Sequence, residues 1–310
     1  MASVPTSNGR SRTLLWILVG GAAFFVFLLA VFTLVYLTLR TETNGQYVTT
    51  GGSGGKIAVV KIEGVILDPE RTVRDLKKFA DDDSIKAIIV HLNTPGGGAA
   101  ASEEIYREVR RIRDEKKKRI VASIETVGAS GGYYIAAGAN KIFANDSSIV
   151  GSIGVIVEWV NYADLLRWAK LSDIVIKAGE FKDIGNPARP LTPQERAYLQ
   201  SLVDNMHAQF INAVAQGRGL KVQDVQAVAD GKVWTGQQAL GLKLVDQIAD
   251  FRGAVMDTAK AVGIKGEPSL VRPEKERRTL LDLLFGDVSP WLPDRAKLLE
   301  RNPGFYYLWR

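Results

Sequence analysis

One serine in this chain of 310 residues stands in surroundings that suit nucleophilic chemistry. The stretch Val127-Gly128-Ala129-Ser130-Gly131-Gly132-Tyr133-Tyr134 follows a strand-like apolar run from Arg119 to Ile124. A hydroxyl that attacks a carbonyl carbon needs an approach free of bulky side chains. It also needs a backbone N–H to hold the oxyanion, and Gly131 can supply one. Gly128, Ser130 and Gly132 satisfy G-x-S-x-G, the pattern of a nucleophile elbow between strand and helix. Taken alone the match is weak, because small residues around a serine also make tight turns.

A second stretch adds to it. Ile88-Ile89-Val90-His91-Leu92-Asn93-Thr94-Pro95-Gly96-Gly97-Gly98 reads as a strand running into a glycine-rich turn, with a helical segment from Ala99 to about Lys117. Such a turn presents backbone N–H groups, and the helix N-terminus adds partial positive charge. The lysine and hydroxyl residue of a P-loop are missing, so an oxyanion is a more natural guest than a nucleotide phosphate.

A serine hydroxyl needs a base. Two histidines exist. His91 lies in a strand beside the glycine turn, and His207 sits mid-helix among Val203, Met206, Phe210 and Ile211; each reads as a structural histidine. The histidine of an α/β-hydrolase triad comes late in the chain, a place His207 could fill only from inside a helix. Lysine is the other candidate, provided burial keeps it neutral. Lys182 follows a strand-like run in the turn Gly179-Glu180-Phe181-Lys182-Asp183-Ile184-Gly185, with Pro187, Arg189 and Pro190 beyond. Its local sequence fits a surface lysine as well as a base.

The elements that must position these residues alternate. Strands are expected at Ile57 to Ile62, Ile85 to Leu92, Ile120 to Ile124, Lys141 to Ala144, Ile153 to Val157 and Ile174 to Ala178. Helices are expected from Asp68-Pro69-Glu70 to Ala80, from Ser130 to Ala139 and from Tyr162 to Lys170. A capping box at Thr192-Pro193-Gln194-Glu195 opens a long helix to Gln216, and Thr235-Gly236-Gln237-Gln238 a shorter one ended by Gly241. Ala101, Ile105, Val109 and Ile112 recur at helical spacing. The alternation predicts an α/β domain with a largely buried sheet.

Composition bounds the rest. Apolar residues make up 46% and charged residues 24%, which suits a folded core. The net charge of +6 is spread along the chain, with a local run at Lys116-Lys117-Lys118-Arg119 that suits a helix end. Without a zinc finger, an RNA-binding signature or interleaved basic and aromatic residues, no nucleic-acid partner is read. The absence of cysteine excludes disulfides, thiolate catalysis and cysteine-bound metal. Residues 14–39 carry no charged side chain. At ~1.5 Å per residue they reach past a hydrocarbon core of roughly 30 Å. Arg10 and Arg12 favour a cytoplasmic N-terminus. The run is too long for a cleaved signal core and no A-x-A site follows it, so it is expected to be a single-pass anchor. The chain then divides into a cytoplasmic N-terminus at 1–13, the anchor at 14–39, a flexible linker at 40–55, a catalytic domain at 56–266 and a tail at 267–310. A short apolar segment in that tail, Leu280 to Phe285, precedes proline- and aromatic-containing sequence that could dock on the domain, a partner or the membrane.

Over roughly residues 56–265 the chain resembles the signal peptide peptidase A family in its short bacterial form, Ser/Lys proteases of the ClpP/crotonase superfamily (peptidase family S49). The resemblance rests on blocks in order: Asn93-Thr94-Pro95-Gly96-Gly97, Ser102-Glu103-Glu104-Ile105-Tyr106, Ala129-Ser130-Gly131-Gly132-Tyr133-Tyr134-Ile135-Ala136 and Gly151-Ser152-Ile153-Gly154-Val155. Lys182-Asp183 with Pro187 and Arg189 follow, then Gly231-Lys232-Val233-Trp234-Thr235-Gly236, Gly241-Leu242 and Val245-Asp246. Thr94, where serine is more usual, and Gly128, in a variable spot, depart from the pattern without touching the catalytic pair.

The resemblance implies a ClpP/crotonase-like domain of repeated ββα units. It implies Ser130 as nucleophile, Lys182 as general base, Gly97 and Gly131 as oxyanion donors and Ser152 as the residue that orients the lysine. It implies no metal or organic cofactor. Substrates are expected to be remnant signal peptides and other apolar membrane-derived peptides. The enzyme is expected to sit in the bacterial cell membrane with its catalytic domain extracytoplasmic, as a homo-oligomeric ring or dome, an octamer among its forms. Three other readings stand beside it: a Ser/Lys endopeptidase with one specific membrane-protein substrate, a crotonase-type acyl-CoA enzyme, and a non-catalytic membrane scaffold.

Overall fold

The computed structural model describes the backbone of residues 9–40, 47–52, 54–273 and 305–309. It divides into two units, 1–46 and 47–310. The first contains one helix, α1 (Gly9–Arg40). Among the described residues no helix is long and apolar enough to cross a membrane.

The second unit is built on a sheet whose central strands are β2 (Lys56–Glu63), β3 (Ile85–Thr94), β5 (Arg119–Ala129) and β6 (Lys141–Ala144), all parallel. Parallel strands buried on both faces need apolar residues at nearly every position, and β2 and β3 have them. Ala58, Val60, Ile88, Val90, Ile120 and Ala122 face one layer of helices. Ile57, Val59, Ala87, Ile89, Val121 and Phe143 face the other.

The first layer comprises α2 (Glu70–Asp81), α3 (Ala99–Asp114), α4 (Gly131–Ala137) and α6 (Pro193–Arg218). The second is α9 (Phe251–Ala261), which packs through Ala254, Val255 and Ala259. In α2 the apolar stripe Val73, Leu76, Phe79 and Ala80 is buried, and Leu76 is fully so. Truncating a side chain of that kind to alanine costs about 2–5 kcal/mol. The helix begins one residue later than the proline at its first position implied: Pro69 is the cap residue, and Asp68 Oδ1 accepts from the Glu70 N–H.

Around this centre lie smaller strands. β7 (Ile149–Gly151) extends beside the end of β5 and pairs with β9 (Val233–Thr235), while β10 (Gln247–Ile248) pairs with β6. Strand β1 (Tyr47–Gly51) pairs with β11 (Ser269–Pro273), which in turn pairs with β2. Thus β1 falls inside the stretch read as a linker, and β11 inside the stretch read as a tail. A glycine- and threonine-rich segment becomes a strand here because a partner more than 200 residues away completes its ladder.

A second, three-stranded sheet orders β4 (Gly96–Gly98), β12 (Phe305–Leu308) and β8 (Ile156–Val157). Only two residues of the expected strand from Ile153 to Val157 pair. The expected strand from Ile174 to Ala178 is irregular, with Ile176 almost wholly exposed; an apolar run without a neighbouring edge has nothing to pair with. α5 (Ala163–Trp168) precedes it. The capping box of α6 is present, with the Thr192 hydroxyl accepting from the Glu195 N–H, and Gly219 ends the helix at φ 65°. After the short α7 (Val222–Gln226), the shorter box at Thr235 opens α8 (Gly236–Gly241).

Candidate active site

Ser130 sits between β5 and α4 with φ 51° and ψ −117°, a backbone shape that a side-chain-bearing residue rarely adopts. Conformations of this kind cost about 1–3 kcal/mol and persist only where the surroundings impose them. Here they do. The Ser130 N–H donates to the Gly151 carbonyl at 2.7 Å, and the Ser130 carbonyl accepts from the Tyr134 N–H at 2.8 Å. The serine is 1% exposed.

Strand pairing explains what stands beside it. β5 and β7 run parallel with Ala129 opposite Gly151, so the next residues, Ser130 and Ser152, leave neighbouring strands side by side. Adjacent strands lie ~4.8 Å apart. Ser152 also has positive φ, 52°, and its N–H donates to the Lys232 carbonyl at 2.8 Å. The two serines are a matched pair of strand-end turns.

The glycine turn closes over the same place. Gly96 has φ 101°, and a Cβ there would lie 2.7 Å from the Gly131 nitrogen and collide with the Tyr307 carbonyl oxygen. Only glycine admits that approach. The Thr94 hydroxyl holds the turn, accepting from the Gly96 N–H at 3.0 Å and donating to the Gly64 carbonyl at 2.5 Å. The threonine that departs from the usual serine therefore keeps the hydroxyl the turn needs. Gly131 is the first residue of α4, whose leading N–H groups have no partner within a helix. On β4, the Gly98 N–H and the Gly96 carbonyl both bond to Ile66. Strand alternation therefore turns the Gly97 N–H to the opposite edge. Gly97 and Gly131 thus offer amides on the Ser130 side of the turn.

Ser102, in the first turn of α3, is fully buried, and its hydroxyl has no hydrogen-bond partner in the structure. A Cβ on Gly131 would collide with that hydroxyl. Ser102 and Gly96 stand in sequence motifs without a role that the sequence assigns, and the fold makes them neighbours of Gly131. Their signal was non-local, since it depends on how closely α3, β4 and α4 approach.

Lys182 is placed differently. It lies in the run of turns 179–185 and is exposed, and no hydrogen bond joins it to Ser130 among the described residues. Its sequence neighbour Asp183 is anchored by Lys177 and by Arg189 Nε at 2.9 Å. Those contacts, the hydrogen bonds of Arg189 foremost, hold the Asp183 carboxyl well below the usual carboxylate range. Arg189 also forks onto Glu195, which completes the capping box of α6.

The histidines serve elsewhere. His207 Nε2 meets the Ile153 carbonyl at 3.1 Å. His91 packs on Phe251 and faces Glu125 at 3.3 Å, lining a different cleft of roughly 1050 Å³. Burial lowers its pKa against the opposing pull of Glu125. No cluster of metal-ligating side chains occurs among the described residues.

A buried hydroxyl on a strained strand-to-helix turn, faced by backbone amides from a second glycine turn, is the apparatus of a serine-type acyl-transfer enzyme. Comparison with known proteins agrees. The model of peptidase family S49 matches residues 112–265. A putative protease of Synechocystis is 40% identical over 235 residues, covering 76% of this chain and 84% of that protein. A putative signal peptide peptidase SppA of Enterococcus faecium is 34% identical, covering 67% of this chain and 64% of that protein. The chloroplastic serine protease SPPA of Arabidopsis thaliana is 29% identical, and there the chain spans only 35% of the relative. This chain belongs to peptidase family S49 and is a serine-type peptidase.

Proposed function

We propose that this chain is a membrane-anchored endopeptidase that cleaves remnant signal peptides and other apolar, membrane-derived peptides with a Ser130/Lys182 dyad. The observation that carries the reading is the strained, buried Ser130 with the Gly97 and Gly131 amides beside it. Lys182 in its neutral form takes the Ser130 proton, and the alkoxide attacks a peptide carbonyl. Gly97 and Gly131 donate to the oxyanion. The ammonium of Lys182 then protonates the leaving amine, and water hydrolyses the acyl-enzyme with the lysine again as base. Ser152, next to Ser130 by strand register, orients the lysine. The steps balance without metal or organic cofactor.

Assembly supplies what a single copy lacks. The arm that carries Lys182 exposes Val160, Leu165, Trp168, Leu171, Ile174 and Ile176. Apolar surface in such density marks a contact face. In a homo-oligomeric ring or dome this face is covered, and Lys182 is brought dry and close to a serine. The domain is read as ClpP/crotonase-like with ββα repeats, and the uncharged run 14–39 as the anchor that holds it extracytoplasmic on the bacterial membrane.

The test is hydrolysis of an apolar signal-peptide-derived fluorogenic peptide by wild type, Ser130→Ala and Lys182→Ala. Both variants should fall to background while remaining folded and assembled. A fully active Lys182→Ala variant would remove lysine as the base.

A further inference from the structure

The large sheet stops short on one side. β2 pairs with β3 along its whole length, from Lys56 to Glu63. On its other side β11 accompanies it only from Lys56 to Ala58. The last residues of β11, Arg272 and Pro273, pair with β1 alone. Among the described residues no strand pairs with the outer edge of β2 beyond Ala58.

Register decides which main-chain groups that edge presents. The Gly64 N–H, one residue past β2, donates to the Asn93 carbonyl of β3 at 3.1 Å. In a parallel ladder the N–H and C=O of one residue point to one side, and those of the next residue to the other. Val60 and Ile62 therefore bond to β3 as Gly64 does, and Lys61 and Glu63 turn their N–H and C=O outward. No backbone bond takes these groups among the described residues. They are the unpaired groups of an edge strand, a template for another chain.

The edge is not on open surface. It forms one wall of the cleft of roughly 1050 Å³, in which Lys61 and Glu63 are joined by Arg71 and Asp75 of α2. Phe251, at the start of α9, lines the cleft too, with the Arg272 guanidinium 5.9 Å from the centre of its ring. A chain laid where β11 would have continued runs ~4.8 Å from β2 and enters this space. The charged lining holds four carboxylates, Glu63, Asp75, Glu125 and Asp250, against three cations, Lys61, Arg71 and Arg272. Burial raises the Asp75 pKa against the pull of Arg71, Arg74 and Lys78, so its charge gains from a further donor.

We propose that this cleft is a second peptide-binding site, which takes an extended segment by addition to the outer edge of β2 and favours basic over acidic side chains in it. Main-chain bonds to Lys61 and Glu63 supply the hold, and the lining supplies the preference. β3 separates this edge from β5, the strand that leads to Ser130. Occupation of the cleft is thus independent of the catalytic reading above.

The probe is a fluorescein-labelled Lys-Val-Lys-Val-Lys-Val peptide, titrated by anisotropy in detergent onto the full chain carrying Ser130→Ala, which cannot cleave it through that serine. The matched Glu-Val-Glu-Val-Glu-Val peptide is run beside it. Saturable binding of the basic probe is expected, several-fold tighter than that of the acidic one. Lys61→Pro tests the mode of binding. Its N–H points outward, so proline removes a donor of the edge and leaves the ladder to β3 whole. Lys61→Ala controls for the lost charge, and the proline variant should bind about ten-fold more weakly than the alanine variant. Asp75→Asn should narrow the difference between the two probes. Hydrogen exchange reads the same edge without touching it: saturating probe should slow exchange at the Lys61 and Glu63 amides of the Ser130→Ala chain. Absence of saturable binding would overturn the proposal, as would binding that brings no protection to those two amides. Equal affinities of the proline and alanine variants would do the same, and tighter binding of the acidic probe would overturn the charge preference.

Discussion

The Ser130 junction and the Lys182 arm are built in opposite ways. Ser130 emerges from a central strand of the sheet, is almost wholly buried, and keeps an unfavourable φ because β7, β4 and α4 leave it no other shape. Lys182 lies on irregular chain between α5 and α6, surrounded by exposed apolar side chains and tied down by a ladder of charges at its C-terminal end. One half of the proposed dyad is therefore enclosed within a single folded chain, and the other is exposed on its surface. The contrast teaches that positioning a nucleophile and neutralising a base are separate tasks. The first is a matter of local backbone geometry; the second needs desolvation, which this arm does not supply by itself.

The largest expected effect is at Ser130. Ser130→Gly should lower peptide hydrolysis by about 10³-fold or more, as removal of a nucleophile does. The same change relieves the positive φ, by roughly 1 kcal/mol, which should raise Tm by a few degrees. Rate assays beside calorimetry would show both; a lowered Tm would mean that the serine conformation is not strained. Lys182→Ala should produce a comparable loss of activity with no change in stability beyond about 0.5 kcal/mol, the usual scale for an exposed residue. A large drop in stability there would contradict the exposed placement. Together the two variants separate strain from exposure.

Next comes the cradle. Gly131→Ala places a methyl group on the Ser102 hydroxyl and must move the α4 amide. Loss of one oxyanion donor costs about 10²–10³ in rate, and kcat should carry that loss while KM stays near its original value. A change confined to KM would assign Gly131 to binding. A smaller effect is expected on the arm. Trp168→Ser with Ile176→Ser should leave the monomer's Tm unchanged, because both side chains are exposed. The oligomer should dissociate at higher protein concentration, and activity should become concentration-dependent. Sedimentation that stays identical to wild type would show that the arm is not the contact face.

How much of this could be read from the chain alone depended on how local each signal was. The capping box at Thr192 and Glu195 is a four-residue pattern and appears as expected. Ser130 was legible because a strand, a small-residue turn and a helix follow each other without interruption. The pairing of Ser152 with Ser130 was not, since it rests on β5 and β7 being neighbours in register. β1 looks like a linker because its side chains are glycine, threonine and tyrosine, and only β11 makes it a strand. The run Ile174 to Ala178 has the composition of a strand and remains irregular for want of an edge. Phe305 to Leu308 was equally unreadable, because the sheet it completes is made of two short segments far apart in sequence. The expected anchor at 14–39 falls within α1, yet among the described residues no helix is long and apolar enough to cross a membrane.

Acid should separate the two regions by charge. Glu195 is nearly buried, forks with Arg189 and accepts from the Thr192 N–H. The Arg189 hydrogen bonds, and then the backbone bond from Thr192, lower its pKa from 4.5 to about 2. A carboxylate depressed in the folded state contributes stability that is complete above its unfolded value and is lost as pH falls through the folded one. The arm's anchorage should thus be intact at pH 5, weaken below about 4.5 and be gone near 2. Asp183, depressed by the same arginine, titrates in the same direction. The Ser130 junction is held by backbone bonds and packing that no proton removes. Hydrogen exchange followed between pH 5 and 2.5, corrected for intrinsic rates, should show residues 177–195 losing protection before the β5–α4 turn does. Glu195→Gln should lessen the pH dependence at the arm and start from lower protection at pH 5. Simultaneous loss of protection in both regions would mean that the arm and the sheet unfold as one unit, and the contrast between them would be one of exposure alone.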